Sequence, residues 1–165
     1  MHPALVNELT HFAHERNIFI TIETEGSHYI ETDYPINLLS ISPKFSNSVP
    51  VLNAVTPAGK VVDQKFIDTH NRKRLNTEAI KKMIEFHDDY HLKPVWDSSQ
   101  SNLEEIEAYR IELGIPKNKT YIMPAGDNRE QLIKMYPLVF NMCSKHGYNM
   151  TGRDHIIAFD TQRMV

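Results

Sequence analysis

Residues 93–124 read KPVWDSSQSNLEEIEAYRIELGIPKNKTYIMP. KPVWD (93–97) is short, apolar and closed by an acid, and TYIMP (120–124) is its counterpart. Between them, SNLEEIEAYRIEL (101–113) has the charged and apolar spacing of a helix, and Gly114 and Pro116 supply its stop signals. Two strands joined by a helix form a crossover between parallel neighbours, because only a long connection returns the chain to the same end of a sheet.

The same rhythm extends in both directions. TEAIKKMIEFHDDY (77–90) predicts a helix leading into strand 93–97. Residues 128–147 predict another, with Leu132, Ile133, Tyr136, Val139, Phe140 and Cys143 in one stripe. HIIAF (155–159) reads as the last strand. Toward the N-terminus, residues 4–16 place Leu5, Leu9, Phe12 and Ala13 at helical spacing, with Pro3 suited to the first turn. IFITI (18–22) reads as a strand covered on both faces, and INLLSIS (36–42) as a second strand. Residues 45–74 have weak periodicity and read as a long insertion loop with one short ribbon. The alternation predicts a parallel α/β sheet or partial barrel, with residues 1–165 forming a single domain.

The chain has 165 residues, 41% of them apolar, enough for a core. Its formal net charge is -3 with both signs interspersed, which argues against direct nucleic-acid binding. No apolar run has the length of a membrane span and no signal-peptide pattern precedes the first helix, so a cytoplasmic protein is expected. A single cysteine, Cys143, excludes an intrachain disulfide and a thiolate metal cage. On the apolar stripe of its helix, a buried hydrophobe is its default role.

In parallel α/β folds ligands bind at the C-terminal ends of the strands. There the sequence offers ETEGSH, where Glu23 and Thr24 supply an acceptor and a hydroxyl and Gly26 a tight turn, or else a plain solvated turn. SISPKF offers Ser42 as a hydrogen-bonding group and Lys44 as a charge for a carboxylate or phosphate, or else a strand end with a solvated lysine. YIMPAGDNREQ places Pro124, Gly126 and a helix N-terminus together, as a ligand turn or a simple connector. Arg153 and His155 border the last strand, where either could bind an anion or be satisfied by backbone. His87 and His91 are four apart, so on a helix His87, Asp88 and His91 could serve a metal-dependent hydrolase. Their place at the opposite end of the fold, and the comfort of histidine at a helix C-terminus, argue against it.

TIETEGS, LLSISPK, KPVWD, YIMPAG and TGRDHIIAFDTQR, in this order, resemble the C-terminal two thirds of the 7-carboxy-7-deazaguanine synthase family of radical SAM enzymes. The resemblance runs from about residue 4 to the C-terminus. It implies a partial (β/α) barrel of the radical SAM type, truncated at its N-terminus. It also implies a reaction converting 6-carboxy-5,6,7,8-tetrahydropterin to 7-carboxy-7-deazaguanine, toward queuosine in tRNA or a modified DNA base. The cofactors implied are S-adenosylmethionine (SAM), a [4Fe-4S] cluster and Mg2+. By resemblance Glu23, Thr24, Gly26, Ser42, Lys44, Pro124 and Gly126 bind the cofactor, with Lys44 and Ser42 at the methionine part of SAM and Pro124 and Gly126 near the adenine. Ser27, His155 and the terminal carboxylate of Val165 bind substrate. A homodimer is the assembly the family suggests.

The family's C-x3-C-x2-C and G-G-E-P motifs, and its magnesium-binding threonine, are absent from this sequence. One cysteine cannot hold a cluster that needs three. The expectation is therefore a fragment or one half of a split enzyme, inactive alone and complemented by an N-terminal cysteine-bearing chain. A noncatalytic SAM- or pterin-binding remnant is the alternative. The helix-first opening fits the loss of a preceding strand, which would leave an exposed sheet edge at IFITI.

Overall fold

A computed structural model describes residues 2–56 and 59–162, so Val165 lies outside the described residues. The chain forms two compact units, one up to His91 and one from Leu92 onward. Both combine α-helices with three-stranded sheets of the α/β type expected.

The first unit opens with α1 (Pro3–Glu15), whose Pro3 sits where a missing N–H costs nothing. Strands β1 (Thr21–Thr24), β2 (Leu38–Ile41) and β3 (Tyr90–Leu92) lie in the order β1-β2-β3. β1 and β2 are parallel, in register from Thr21 opposite Leu38 to Thr24 opposite Ile41. β2 has a neighbour on each side and buries Leu39, Ser40 and Ile41. IFITI is not covered on both faces: Phe19 is 70% exposed, and β1 is an edge strand whose residues alternate between exposed and half-buried. The exposed edge expected there is present among the described residues.

α1 buries Val6, Thr10 and Ala13, leaving Leu5, Leu9 and Phe12 exposed. The apolar stripe read from the sequence lies about a quarter turn away from the face that packs. Polar ties fix the helix instead. Asn7 Nδ2 donates to Asp33 Oδ2 (2.8 Å), Asn7 Oδ1 accepts the Asp33 N–H (2.8 Å), and His14 stacks on Tyr34 at 3.8 Å between centroids.

The segment 45–74 is only partly a loop. Its ribbon is a single antiparallel bridge between Val55 and Val61, but Gln64–Lys73 is a helix, α2. Asp63 caps it by accepting the Phe66 N–H at 2.7 Å. α2 buries no residue, so it lacks the apolar periodicity by which helices are read.

α3 (Thr77–Phe86) is capped by Asn76 and buries Ala79, Ile80 and Met83. It stops at Phe86 rather than running to residue 90. His87 is in extended backbone, and its buried Nδ1 accepts the Ile36 N–H at 3.0 Å. His91 belongs to β3, so His87 and His91 do not share a helix face. Gly26 closes the turn after β1 at φ +76, where a Cβ would lie 2.7 Å from Ile80 Cδ1. Glycine is required there by both backbone and packing.

The second unit holds β4 (Val95–Trp96), β5 (Tyr121–Pro124) and β6 (Asn149–Met150), all parallel, in the order β4-β5-β6. The helices between them are α4 (Gln100–Glu112), capped by Ser99, and α5 (Arg129–His146), capped by Asn128. The core includes Ile106, Ile115, Ile122, Leu132 and Val139. From the expected stripe of α5, Leu132, Val139 and Cys143 are buried, whereas Ile133 and Phe140 are exposed.

HIIAF is not a strand. Among the described residues the last strand is β6, and Asp154–Phe159 form a short helix, α6. A five-residue apolar run does not by itself separate the two outcomes. Arg129 favours the helix: its Nε and Nη2 donate to the carbonyls of Ile157 (2.6 Å) and Ala158 (2.8 Å), the acceptors that a helix C-terminus leaves unpaired.

Two outcomes follow. Burial holds His87 below the ordinary imidazole value of 6.5, with Asp88 opposing that shift more weakly. The unfolded chain therefore takes up this proton first as pH falls. The stabilisation due to neutral His87 is complete above about pH 6.5 and is lost progressively below it. Urea midpoints measured between pH 7.5 and 5 (about that range brackets an imidazole) should fall more steeply for the native chain than for His87→Gln. Gly26→Ala should destabilise by about 2–4 kcal/mol in urea unfolding, combining overpacking with a strained backbone.

Candidate functional site

The parallel pairing of β1 with β2 directs both C-terminal ends to the same side. The Ser42 N–H extends the ladder beyond the strands, donating to the Thr24 carbonyl at 2.7 Å. As a result Glu23, Thr24, Ser27, Ser42 and Lys44 line one cavity of about 830 Å3. These residues come from two segments more than ten positions apart, and the chain register alone brings them together.

Each polar group has a defined setting. Ser40 Oγ donates to Glu23 Oε1 at 3.3 Å, holding the carboxylate at the strand tip. Thr24 Oγ1 accepts the Gly26 N–H at 3.1 Å and shapes the turn. Ser27 Oγ donates to Glu25 Oε1 (2.8 Å) and lies 2.8 Å from His28 Nδ1. Asn76 Nδ2 donates to the Ser27 carbonyl at 3.0 Å while Asn76 Oδ1 caps α3 at the Ala79 N–H. Pro43 is buried and Lys44 exposed, so the lysine leaves the sheet from a fixed backbone. Gly26 is a positioning residue: it packs on Ile80 and is not among the residues lining the cavity.

Sequence reasoning missed other residues of this wall. Pro3, His28, Tyr29 and Ile30 also line the cavity. The signal for His28 and Tyr29 was their position directly after the glycine turn. Burial and the Glu31 carboxylate raise the Tyr29 hydroxyl above its ordinary value, keeping it a proton donor.

In the second unit the Pro124–Gly126 turn and the segment after β6 come together. Pro124 ends β5 opposite Trp96, and the Ala125 N–H donates to the Trp96 carbonyl at 3.0 Å. Arg153 Nη1 donates to the Gly126 carbonyl at 2.7 Å, and the Arg153 N–H to Tyr136 Oη at 3.2 Å. A Cβ on Gly126 would lie 2.9 Å from Leu132 Cδ2, so the turn packs tightly on the start of α5. Arg153 thus serves the loop itself. His155 sits in the first turn of α6, exposed, rather than at a strand end. Asp97 is absorbed structurally: its Oδ1 accepts from both the N–H (2.9 Å) and the Oγ (2.6 Å) of Ser99.

The metal-hydrolase alternative fails on geometry. His87 Nδ1 is committed to the Ile36 N–H, and Asp88 Oδ2 accepts from Asn37 Nδ2 at 2.9 Å. Among the described residues no three His, Cys, Asp or Glu side chains converge to hold a metal ion. Cys143 is buried, its thiol pushed up to about 11 by desolvation, and its Sγ donates to the Asn149 carbonyl at 3.3 Å. That chemistry suits neither a nucleophile nor a cluster ligand. The described residues also contain no helix long and apolar enough to cross a membrane.

No protein-family model matches the chain, and neither does any solved structure. Two curated relatives do. A 7-carboxy-7-deazaguanine synthase from Halobacterium salinarum is 28% identical over 142 residues, covering 82% of this chain and 52% of the relative. A protein of the same name from Pyrobaculum aerophilum is 26% identical over 66 residues, covering 40% of this chain and 30% of the relative. The chain thus spans about half the length of the first of these and less of the second, and over those spans it is similar to 7-carboxy-7-deazaguanine synthases.

Proposed function

We propose that this chain is the C-terminal part of a 7-carboxy-7-deazaguanine synthase, contributing SAM- and pterin-binding residues to a radical SAM active site. The observation that carries the reading is the cavity at the tips of β1 and β2, which gathers five residues singled out from sequence: Glu23, Thr24, Ser27, Ser42 and Lys44. The two relatives bearing that name support it. The fold this reading requires is an incomplete (β/α) barrel with residues 1–165 as one domain.

The donor set suits the polar end of SAM. Lys44 is a point charge for the methionine carboxylate, and Ser42 and Thr24 add hydroxyls beside it. The Glu23 carboxylate complements an ammonium group or accepts from ribose hydroxyls. Ser27 sits between Glu25 and His28, with a remaining lone pair for a pterin edge, and the family resemblance is the ground for assigning Pro124 and Gly126 to the adenine. His155 is assigned to substrate on the family resemblance alone. The cofactor, when bound, supplies the radical that abstracts hydrogen from 6-carboxy-5,6,7,8-tetrahydropterin, and the protein contributes binding, orientation and exclusion of water.

The residues present do not fit a [4Fe-4S] cluster. Three thiolates are needed, and the sequence has the one buried cysteine. Nor, among the described residues, do three His, Cys, Asp or Glu side chains converge to hold Mg2+. No step through either group is derived from this chain. In this reading the cluster thiolates and the magnesium ligand come from polypeptide beyond these 165 residues, in the same chain or a complementing one. The complete assembly acts as a homodimer in the cytoplasm.

Calorimetric titration of the chain with SAM tests the reading. Saturable binding is expected, weakened about tenfold by Lys44→Ala through loss of a charge-assisted contact, and less by Ser42→Ala. Absence of saturable binding, or equal affinity in Lys44→Ala, would overturn the site. If binding persists but a cysteine-bearing N-terminal chain restores no turnover under anaerobic conditions, the chain is a noncatalytic binding remnant.

A further inference from the structure

The helix α2, which sequence periodicity did not reveal, builds a second cavity beside the first. It encloses about 180 Å3, and its walls include Lys44, His70, Lys73 and Arg74, with Phe66 and Glu25. Phe66, His70 and Lys73 recur at helical spacing and share one side of α2. Lys44 arrives from the end of β2, on a different part of the chain.

Arg74 joins the two walls. Its Nη1 donates to the Lys44 carbonyl at 3.3 Å and its Nε to Asn71 Oδ1 at 3.2 Å. His70 is held in place by Ser48, whose Oγ lies 3.2 Å from His70 Nε2 and donates to the Phe45 carbonyl at 2.6 Å. Lys44, Lys73 and Arg74 therefore line one cavity together with one carboxylate, Glu25, which accepts from the Ser27 hydroxyl.

Basic residues at the end of a helix complement its dipole, and that explains Lys73 and Arg74 taken alone. It does not explain the convergence of Lys44 from another element. Like charges gathered around a concave surface raise the local potential that attracts an anion. The small volume suits a compact anion, and the Phe66 ring, 36% exposed, offers an apolar wall to a group attached to it.

We propose that Lys44, Lys73 and Arg74 form a binding site for a phosphate-type dianion, either inorganic phosphate or a phosphomonoester. The site adjoins the cavity at the tips of β1 and β2 through Lys44 and Glu25, so a ligand held by Lys44 in that cavity competes for one of its three cations.

Calorimetry at fixed chloride concentration, with inorganic phosphate and phenyl phosphate as probes, tests it on the whole chain. Saturable binding is expected, weakened about tenfold in Lys73→Gln. Lys65→Gln removes the same charge from α2 outside the cavity and should leave affinity unchanged. Lys73 and Lys65 are both exposed, so both variants should retain the native melting temperature. Tighter binding of phenyl phosphate assigns the site to a phosphomonoester, and equal binding assigns it to the inorganic ion; either supports the site. No saturable binding of either probe, or equal loss in Lys65→Gln and Lys73→Gln, would overturn it. Ser42→Ala should weaken SAM without altering phosphate, so this site and the cofactor reading stand or fall separately.

Discussion

The parallel pairing of β1 with β2 is the constraint on which the candidate site depends. A parallel ladder sends both strands out of the sheet at the same end, and the 2.7 Å hydrogen bond from the Ser42 N–H to the Thr24 carbonyl carries that pairing past the last strand residues. Two otherwise unrelated turns, one acidic and one basic, thereby become opposite walls of a single cavity. A slip of one residue would turn the side chains at each strand tip to the other face of the sheet. Burial of Leu39, Ser40 and Ile41 resists such a slip, since β2 is packed on both faces.

The wall after β1 is held by α3. Asn76 caps the helix with its side-chain oxygen and grips the Ser27 carbonyl with its amide nitrogen, so one residue fixes both the helix start and the loop. Ile80, fully buried, fills the space that a Cβ on Gly26 would take. The loop thus owes its conformation to packing as well as to its own sequence. This is the support a binding loop requires, since a polar constellation on an unsupported turn would lose entropy on binding.

In the second unit, two arginines do comparable work. Arg129 receives the C-terminal carbonyls of α6, while its own N–H donates to Asp160 Oδ1 at 2.8 Å, tying the start of α5 to the end of α6. Arg153 closes on the Gly126 carbonyl. Both guanidiniums satisfy backbone oxygens that irregular chain would leave unpaired, which is why residues after β6 form a helix where local apolar content alone suggested a strand.

The sequence by itself determined the elements that pack amphipathically and the turns that punctuate them. Helix α5 and strand β5 were legible because burial on one side writes a period into the chain, and α4 because Gly114 and Pro116 mark its end. The residue types at the tips of β1 and β2 were legible for a related reason: Ser42, Lys44, Glu23 and Thr24 interrupt apolar runs where a strand must end. Only the tertiary structure decided what those tips face. It also decided that His87 turns inward to accept the Ile36 N–H instead of pairing with His91, and that α1 packs through Val6, Thr10 and Ala13. α2 escaped sequence reading because it buries nothing, and its cationic side acquires meaning only when Lys44 is brought against it. Periodicity records what a segment hides from water; which exposed groups meet across the fold is set by register and packing between distant parts of the chain.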